Sequence, residues 1–210
     1  MALVLNEEQQ MLRDSARGFL EEHAPVAALR KLRDDRDPLG FSRPLWRQIS
    51  ELGWPGILIP EAMGGLGFGQ VGMGQIMIES GRTLSASPLY ATAILGATAI
   101  ALAGTEAQQK ALLPAIVEGQ KLFAFAVDEC PRHAGAAAVA MTARRAGTGF
   151  VLAGSKQFVA DGHCADQLIV AARTARSAGE LAGISLFVMD ARQAGVTIEL
   201  LSSFERIELD

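Results

Sequence analysis

The residues with the richest chemistry lie in the second half of the chain, where Cys130 and His133 have a C-x-x-H spacing and His163 stands next to Cys164. Such a set could ligate zinc, but adjacent His163 and Cys164 do not easily converge on one ion. The plainer reading is a loop cysteine and a surface histidine. Cys130 could also serve as a thiol nucleophile if Arg132 or His133 lowered its pKa, although no third orienting group accompanies it. Asp128 and Glu129 are neighbours, so on a strand they point to opposite faces and cannot act as a carboxylate pair. Either one faces a site and the other solvent, or both are solvated. Asp161, beside Gly162, reads as a turn residue. Gly67, Gly69 and Gly72 spell G-x-G-x-x-G. A dinucleotide fingerprint also needs a βαβ unit with an acidic residue about 20 positions later. Helix follows here instead, so the glycines are read as a loop.

The elements that must position these residues fall into two kinds. Leu12, Ala16, Phe19 and Leu20 share one face of a helix over Asn6 to His23, with Asn6 and Gln9 as a capping box. Leu45, Ile49 and Leu52 repeat the pattern over Pro44 to Leu52, stopped by Gly53. A glycine-dense loop from Gly64 to Gly74 precedes helical pattern at Gln75 to Leu84, Pro88 to Ala103 and Glu106 to Val117. Thr105 and Gln108 form a second capping box. Trp46 and Trp54 are expected to pack in the core. After Gly119 the period changes. Short stretches rich in Val, Ile, Phe and Thr run over Leu122 to Val127, Val139 to Arg144, Phe150 to Phe158, Gln167 to Ala172, Ile184 to Met189 and Val196 to Leu200. No helix-length connection separates them, which predicts an antiparallel barrel or sandwich. The fold class is α+β, with a helical domain over 1–119 and a β-domain over 120–210.

Composition narrows the function. Of 210 residues half are hydrophobic, enough for a real core, and the formal net charge is −4 with scattered Lys and Arg. No basic face suited to nucleic acid is present. The uncharged run from Ala86 to Gly104 is broken by Pro88 and small residues and reads as a buried helix, not a membrane span. Two cysteines and an N-terminus without signal or transit character argue against a disulfide framework and make a reducing, cytoplasmic setting the expectation.

Five stretches carry a resemblance. They are LNEEQQMLRDSARGFLEEHAP from Leu5, PLWRQISELGWPGILIPEAMGGLG from Pro44, GTEAQQKALLPAIVEGQKLFAFA from Gly104, GFVLAGSKQFVADGHCADQLIVAART from Gly149 and GISLFVMDARQAGVTIELL from Gly183. In order and spacing they resemble signature stretches of the acyl-CoA dehydrogenases, over well more than half the chain. The resemblance implies a helical domain and a β-domain; the family's C-terminal four-helix bundle has no counterpart here. It implies removal of an α-proton from an acyl-CoA thioester by a carboxylate base, with hydride passing from the β-carbon to the N5 of FAD. That base belongs to the bundle in the family, so no catalytic residue is assigned in this chain, and no metal ligand either. Phe125, Val127, Asp128, Phe158, Val159 and Ala160 are the implied flavin contacts, and His133 and Ala134 the implied substrate contacts.

The sequence departs from the family where it matters. The family's Thr-Glu-Pro-Gly-Ala-Gly-Ser-Asp loop is here Asp128 to Gly135, with only Glu129 kept in register. The family's Trp-Ile-Thr is Phe158, Val159 and Ala160, which keeps an aromatic and loses a hydroxyl. The pattern resembles a divergent branch, pimeloyl-CoA dehydrogenase small-subunit-like and steroid-side-chain-degrading, in which unlike subunits pair. The implied partners are an acyl-CoA drawn from fatty acid or steroid side-chain degradation, an electron-transfer flavoprotein or similar acceptor, and further subunits in a homo- or hetero-oligomer. The alternatives are a flavin-free helper subunit and a piece of a longer, ordinary enzyme.

Overall fold

The protein is described from a computed structural model, which covers residues 4–129, 135–175, 178–200 and the strand at 205–209. The chain divides into two compact units, Met1–Gln120 and Lys121–Asp210.

The first unit is helical because its local signals agree with its packing. Helix α1 (Glu7–His23) starts at Asn6, whose side chain accepts from Gln9 N at 2.8 Å while Gln9 returns a bond to Asn6 N. Such a cap contributes about 1 kcal/mol. Its buried face, Ala16 and Leu20, packs on α4 (Gly69–Thr83). Between them lie α2 (Val26–Asp34) and α3 (Arg43–Glu51), the latter ending at Gly53 with φ +75°. Trp46 and Trp54 are buried; the Trp46 indole donates to Gly119 O at 2.9 Å, and Trp54 meets Phe19 edge-on. A π-helical turn at Tyr90–Gly96 runs into α5 (Ala97–Ala103), and α6 (Glu106–Val117) starts at the Thr105–Gln108 box.

Three features of this unit differ from the sequence expectation. Helix α2 carried no recognised signal, and none of its residues is buried. Helix α4 begins at Gly69, inside the stretch expected to be loop, because packing overrides glycine's weak helix propensity. At Gly72 an added Cβ would lie 2.1 Å from the Phe68 ring and 3.3 Å from Leu12, so only glycine lets α4 come this close. The run from Pro88 is interrupted by i→i+5 bonding.

The second unit is one seven-stranded sheet: β1 (Phe123–Ala126), β2 (Thr142–Ala146), β3 (Gly149–Gln157), β4 (Gln167–Arg173), β5 (Ile184–Asp190), β6 (Val196–Leu200) and β7 (Glu205–Leu209). The order is β1-β4-β2-β3-β7-β6, with β5 also on β4. The sheet is mixed, which refines the antiparallel expectation. β1 runs parallel to β4, with Phe123 opposite Gln167 and Ala126 opposite Val170, and β2 meets β4 parallel at Thr142 and Arg173. A parallel pair needs a long crossover. The β2–β3 hairpin supplies it in place of a helix. The core gathers Ala124, Ala126, Met141, Val159, Leu168 and Val170.

Among the described residues no helix is long and apolar enough to cross a membrane.

Candidate functional site

The end of β1 and the end of β3 are the parts of the sheet where predicted site residues meet. Val127, Asp128 and Glu129 follow β1, and Lys156 and Gln157 end β3 just before Phe158. Gln157 N donates to Asp128 O at 2.8 Å. One residue earlier, the Lys156 ammonium donates to Val127 O at 3.0 Å and to Glu129 Oε1 at 2.5 Å. Two stretches far apart in sequence are thereby joined.

Lys156 is 0% exposed, so its charge lives entirely on protein partners. Burial pushes its pKa below the ordinary lysine value, and the Glu129 carboxylate pulls it back. Glu129 also accepts from Ala140 N at 2.8 Å and Met141 N at 3.0 Å. With ammonium and amides on it, Glu129 is a structural anion. It is not the solvated carboxylate that the adjacent pair also allowed. A second buried cation holds the same region: Arg173 donates to Val139 O, Ala137 O, Glu180 O and Ala182 O at 2.6 to 3.1 Å. Sequence reasoning named neither cation. The signal available was a lysine within the apolar run of a strand and an arginine ending one.

The six expected flavin contacts divide. Phe158 is 36% exposed and has φ +55°, a costly conformation for a bulky residue and one that collects at functional sites. Phe125, Val127, Asp128 and Ala160 are half-buried. Val159 is 1% exposed and sits in the core. Asp161, also left-handed at φ +56°, makes the turn, and the Cys164 thiol donates to its carbonyl at 3.3 Å. His133, Ala134 and Cys130 lie outside the described residues. Among the described residues no three His, Cys, Asp or Glu side chains come together as a metal site.

The described residues fit the apolar side of a flavin ring. The exposed Phe158 on its left-handed turn and the half-buried Phe125, Val127 and Ala160 are the apolar surface available for it. The positions that match the family's loop Thr, loop Ser and second Thr carry Asp128, Ala134 and Ala160, none with a hydroxyl. A groove of about 670 Å³ between β3 and β5, lined by Phe150, Leu152, Phe187 and Met189, contains none of these residues.

The match to known proteins runs along nearly the whole chain. Residues 6–120 match the model "Acyl-CoA dehydrogenase, N-terminal domain", and residues 124–203 match "Acyl-CoA dehydrogenase, middle domain". The 3-(aryl)acrylate reductase of Clostridium sporogenes is 32% identical over 200 residues, which cover 93% of this chain and 51% of that protein. The solved glutaryl-coenzyme A dehydrogenase with glutaryl-CoA superposes with a TM-score of 0.86 at 29% identity, over 100% of this chain and 55% of that one. The ChsE4-ChsE5 complex from Mycobacterium tuberculosis gives 0.85 at 26%, over 100% and 56%. The chain spans about half the length of these relatives. On the two family models, covering the helices and the sheet in turn, the chain belongs to the acyl-CoA dehydrogenase family.

Proposed function

We propose that this chain is the helical domain (1–119) and β-domain (120–210) of an FAD-dependent acyl-CoA dehydrogenase subunit. The observation that carries the reading is the joined edge of β1 and β3, with Phe158 exposed on a left-handed turn, in a chain that matches both family models. Phe125 and Phe158 would cover the flavin's apolar side, and Val127, Asp128 and Ala160 would border it. When bound, the flavin supplies the two-electron acceptor that side chains lack. The chain's own part is to hold that ring, orient it and exclude water from one face. Its substrate would be an acyl-CoA thioester and its oxidant an electron-transfer flavoprotein or similar acceptor. The test is an intact mass and an absorption scan of the whole gene product. Flavin bands support the reading. Absence of flavin, with no uptake of added FAD by the protein or by its complex with its natural partner, sinks it.

A second reading is a flavin-free helper subunit in a heteromeric enzyme of the pimeloyl-CoA small-subunit-like or steroid-degrading type. Asp128 and Ala160, which lack the hydroxyls, favour it, as does likeness to a solved complex of two differently named chains. Purification of the protein alone, yellow and active, would exclude it.

A further inference from the structure

We infer that Lys156 is the positioning residue of the flavin-facing edge, one buried ammonium that fixes the end of β1 against the end of β3. The inference rests on the functional reading above. Nζ reaches Val127 O and Glu129 Oε1 at 3.0 and 2.5 Å, and Glu129 carries the link on to the amides of Ala140 and Met141. The next residue, Gln157, bonds Asp128 O, and the one after it is the strained, exposed Phe158. Lys156 therefore stands between the two stretches proposed to border the ring, Val127–Asp128 on one side and Phe158–Ala160 on the other. No other described side chain donates to Val127 O or to the Glu129 carboxylate. Water cannot take over without the stretches parting, because the ammonium is unexposed. A buried acceptor stripped of its donor carries the whole desolvation penalty. The simplest relief is for residues 127–129 to move off β3, which would carry Val127 and Asp128 away from Phe158.

A simple packing role would alter stability and nothing else. The test therefore combines FAD titration of the full chain, followed by flavin fluorescence and the visible absorption band, with hydrogen exchange at the Ala140 and Met141 amides. Lys156→Met and Glu129→Gln are compared with the parent well below each variant's melting midpoint. The expected result is at least about tenfold weaker FAD binding, the equivalent of one decade in the dissociation constant, with a shifted band and faster exchange at both amides. Unchanged FAD affinity in both variants overturns the inference, whether or not exchange accelerates. Should Lys156→Met not fold, Glu129→Gln decides by the same readouts, since it keeps the shape and removes the charge. A parent that takes up no FAD sinks the functional reading instead. Exchange then decides the joint by itself: faster exchange at Ala140 and Met141 upholds it, and unchanged exchange overturns it.

Discussion

Among the described residues, Glu79 in the helical unit and Lys156 in the β unit are buried members of ion pairs, and the two arrangements are built in opposite senses. In the helical unit the anion is inside: Glu79 on α4 is 1% exposed, while Arg17 on α1 and Arg82 reach it from positions 38% and 63% exposed. The Arg17 fork grips both Glu79 oxygens at 3.0 and 3.1 Å. In the β unit the cation is inside: Lys156 is 0% exposed and Glu129 is 16% exposed. The difference lies in what can replace a lost partner. Water already reaches Arg17 and Arg82, so the helix seam can be rehydrated from its rim. Lys156 is unexposed, and its partners include a main-chain carbonyl, Val127 O, that cannot turn away. The first pair is a clamp on a seam between helices. The second is a joint between two strand ends.

The largest expected effect follows from that asymmetry. Lys156→Ala takes the side-chain donor from the Val127 carbonyl and the counter-charge from Glu129, and breaking a pair with a buried member in this way costs about 3–5 kcal/mol. Denaturant unfolding of the variant against the parent measures it. Adding Glu129→Leu to give an apolar pair should return only part of this loss, because the amides of Ala140 and Met141 lose their acceptor as well. Full recovery would mean that the joint is no different from any buried ion pair.

Glu79→Gln tests the other half of the comparison and should cost less, about 1–3 kcal/mol, as its charge-assisted bonds are weakened at a seam whose rim water can enter. The sign of its pH dependence is also fixed. The hydrogen bond from Arg17, reinforced by the charges of Arg17, Arg82 and Arg13, holds the Glu79 carboxyl below its usual range against the opposing effect of burial. A lowered carboxyl pKa contributes stability that is complete above the unfolded-state value of about 4.3 and is lost as pH falls through the folded value. A pH series of melting midpoints should therefore show a steeper acid decline in the parent than in Glu79→Gln. Parallel curves would remove the clamp from the account.

What the sequence made legible follows the same division between local and distant causes. The starts of α1 and α6 were readable because Asn6–Gln9 and Thr105–Gln108 are local signals answered by local bonds. Six of the seven strands were readable to within a few residues because stretches rich in Val, Ile, Phe and Thr between turn residues are local too, while β7 (Glu205–Leu209) was not among the expected strands. The start of α4 was not, because Gly72 is there for Phe68 and for Leu12 on another helix, and nothing beside it in the sequence says so. The parallel pairing of β1 with β4 was hidden for the same reason, since a strand's pattern does not name its neighbour. At the candidate site the resemblance pointed to the residues at the two strand ends. Lys156 passed unnoticed, since a lysine in a strand reads as a solvent-facing position until the fold closes over it. Val159 went the other way, expected beside a ligand and found in the core.

Smaller effects sharpen the comparison by separating main-chain targets from charge. Thr105 is a surface residue whose hydroxyl oxygen accepts from the Gln108 amide at 3.3 Å. Thr105→Ala should cost about 1 kcal/mol, as N-cap losses do, measured as a lowered thermal midpoint. The cap shares with Glu129 the service of an otherwise orphaned amide, and it lacks burial. A loss well below that of Lys156→Ala would assign the difference to the dry surroundings of the joint.

The smallest effect should come from a pair that matches the joint in distance. Lys31 and Asp35 lie 2.5 Å apart on the last turn of α2, closer than Arg17 and Glu79, yet they are 77% and 57% exposed. Water and salt screen such a pair, and holding two long side chains together costs entropy that offsets the attraction. Lys31→Ala should leave the melting midpoint within error at 0.15 M salt. A clear loss there would mean that separation, not solvent access, sets the value of ion pairs in this protein, and the contrast between the clamp and the joint would fail with it.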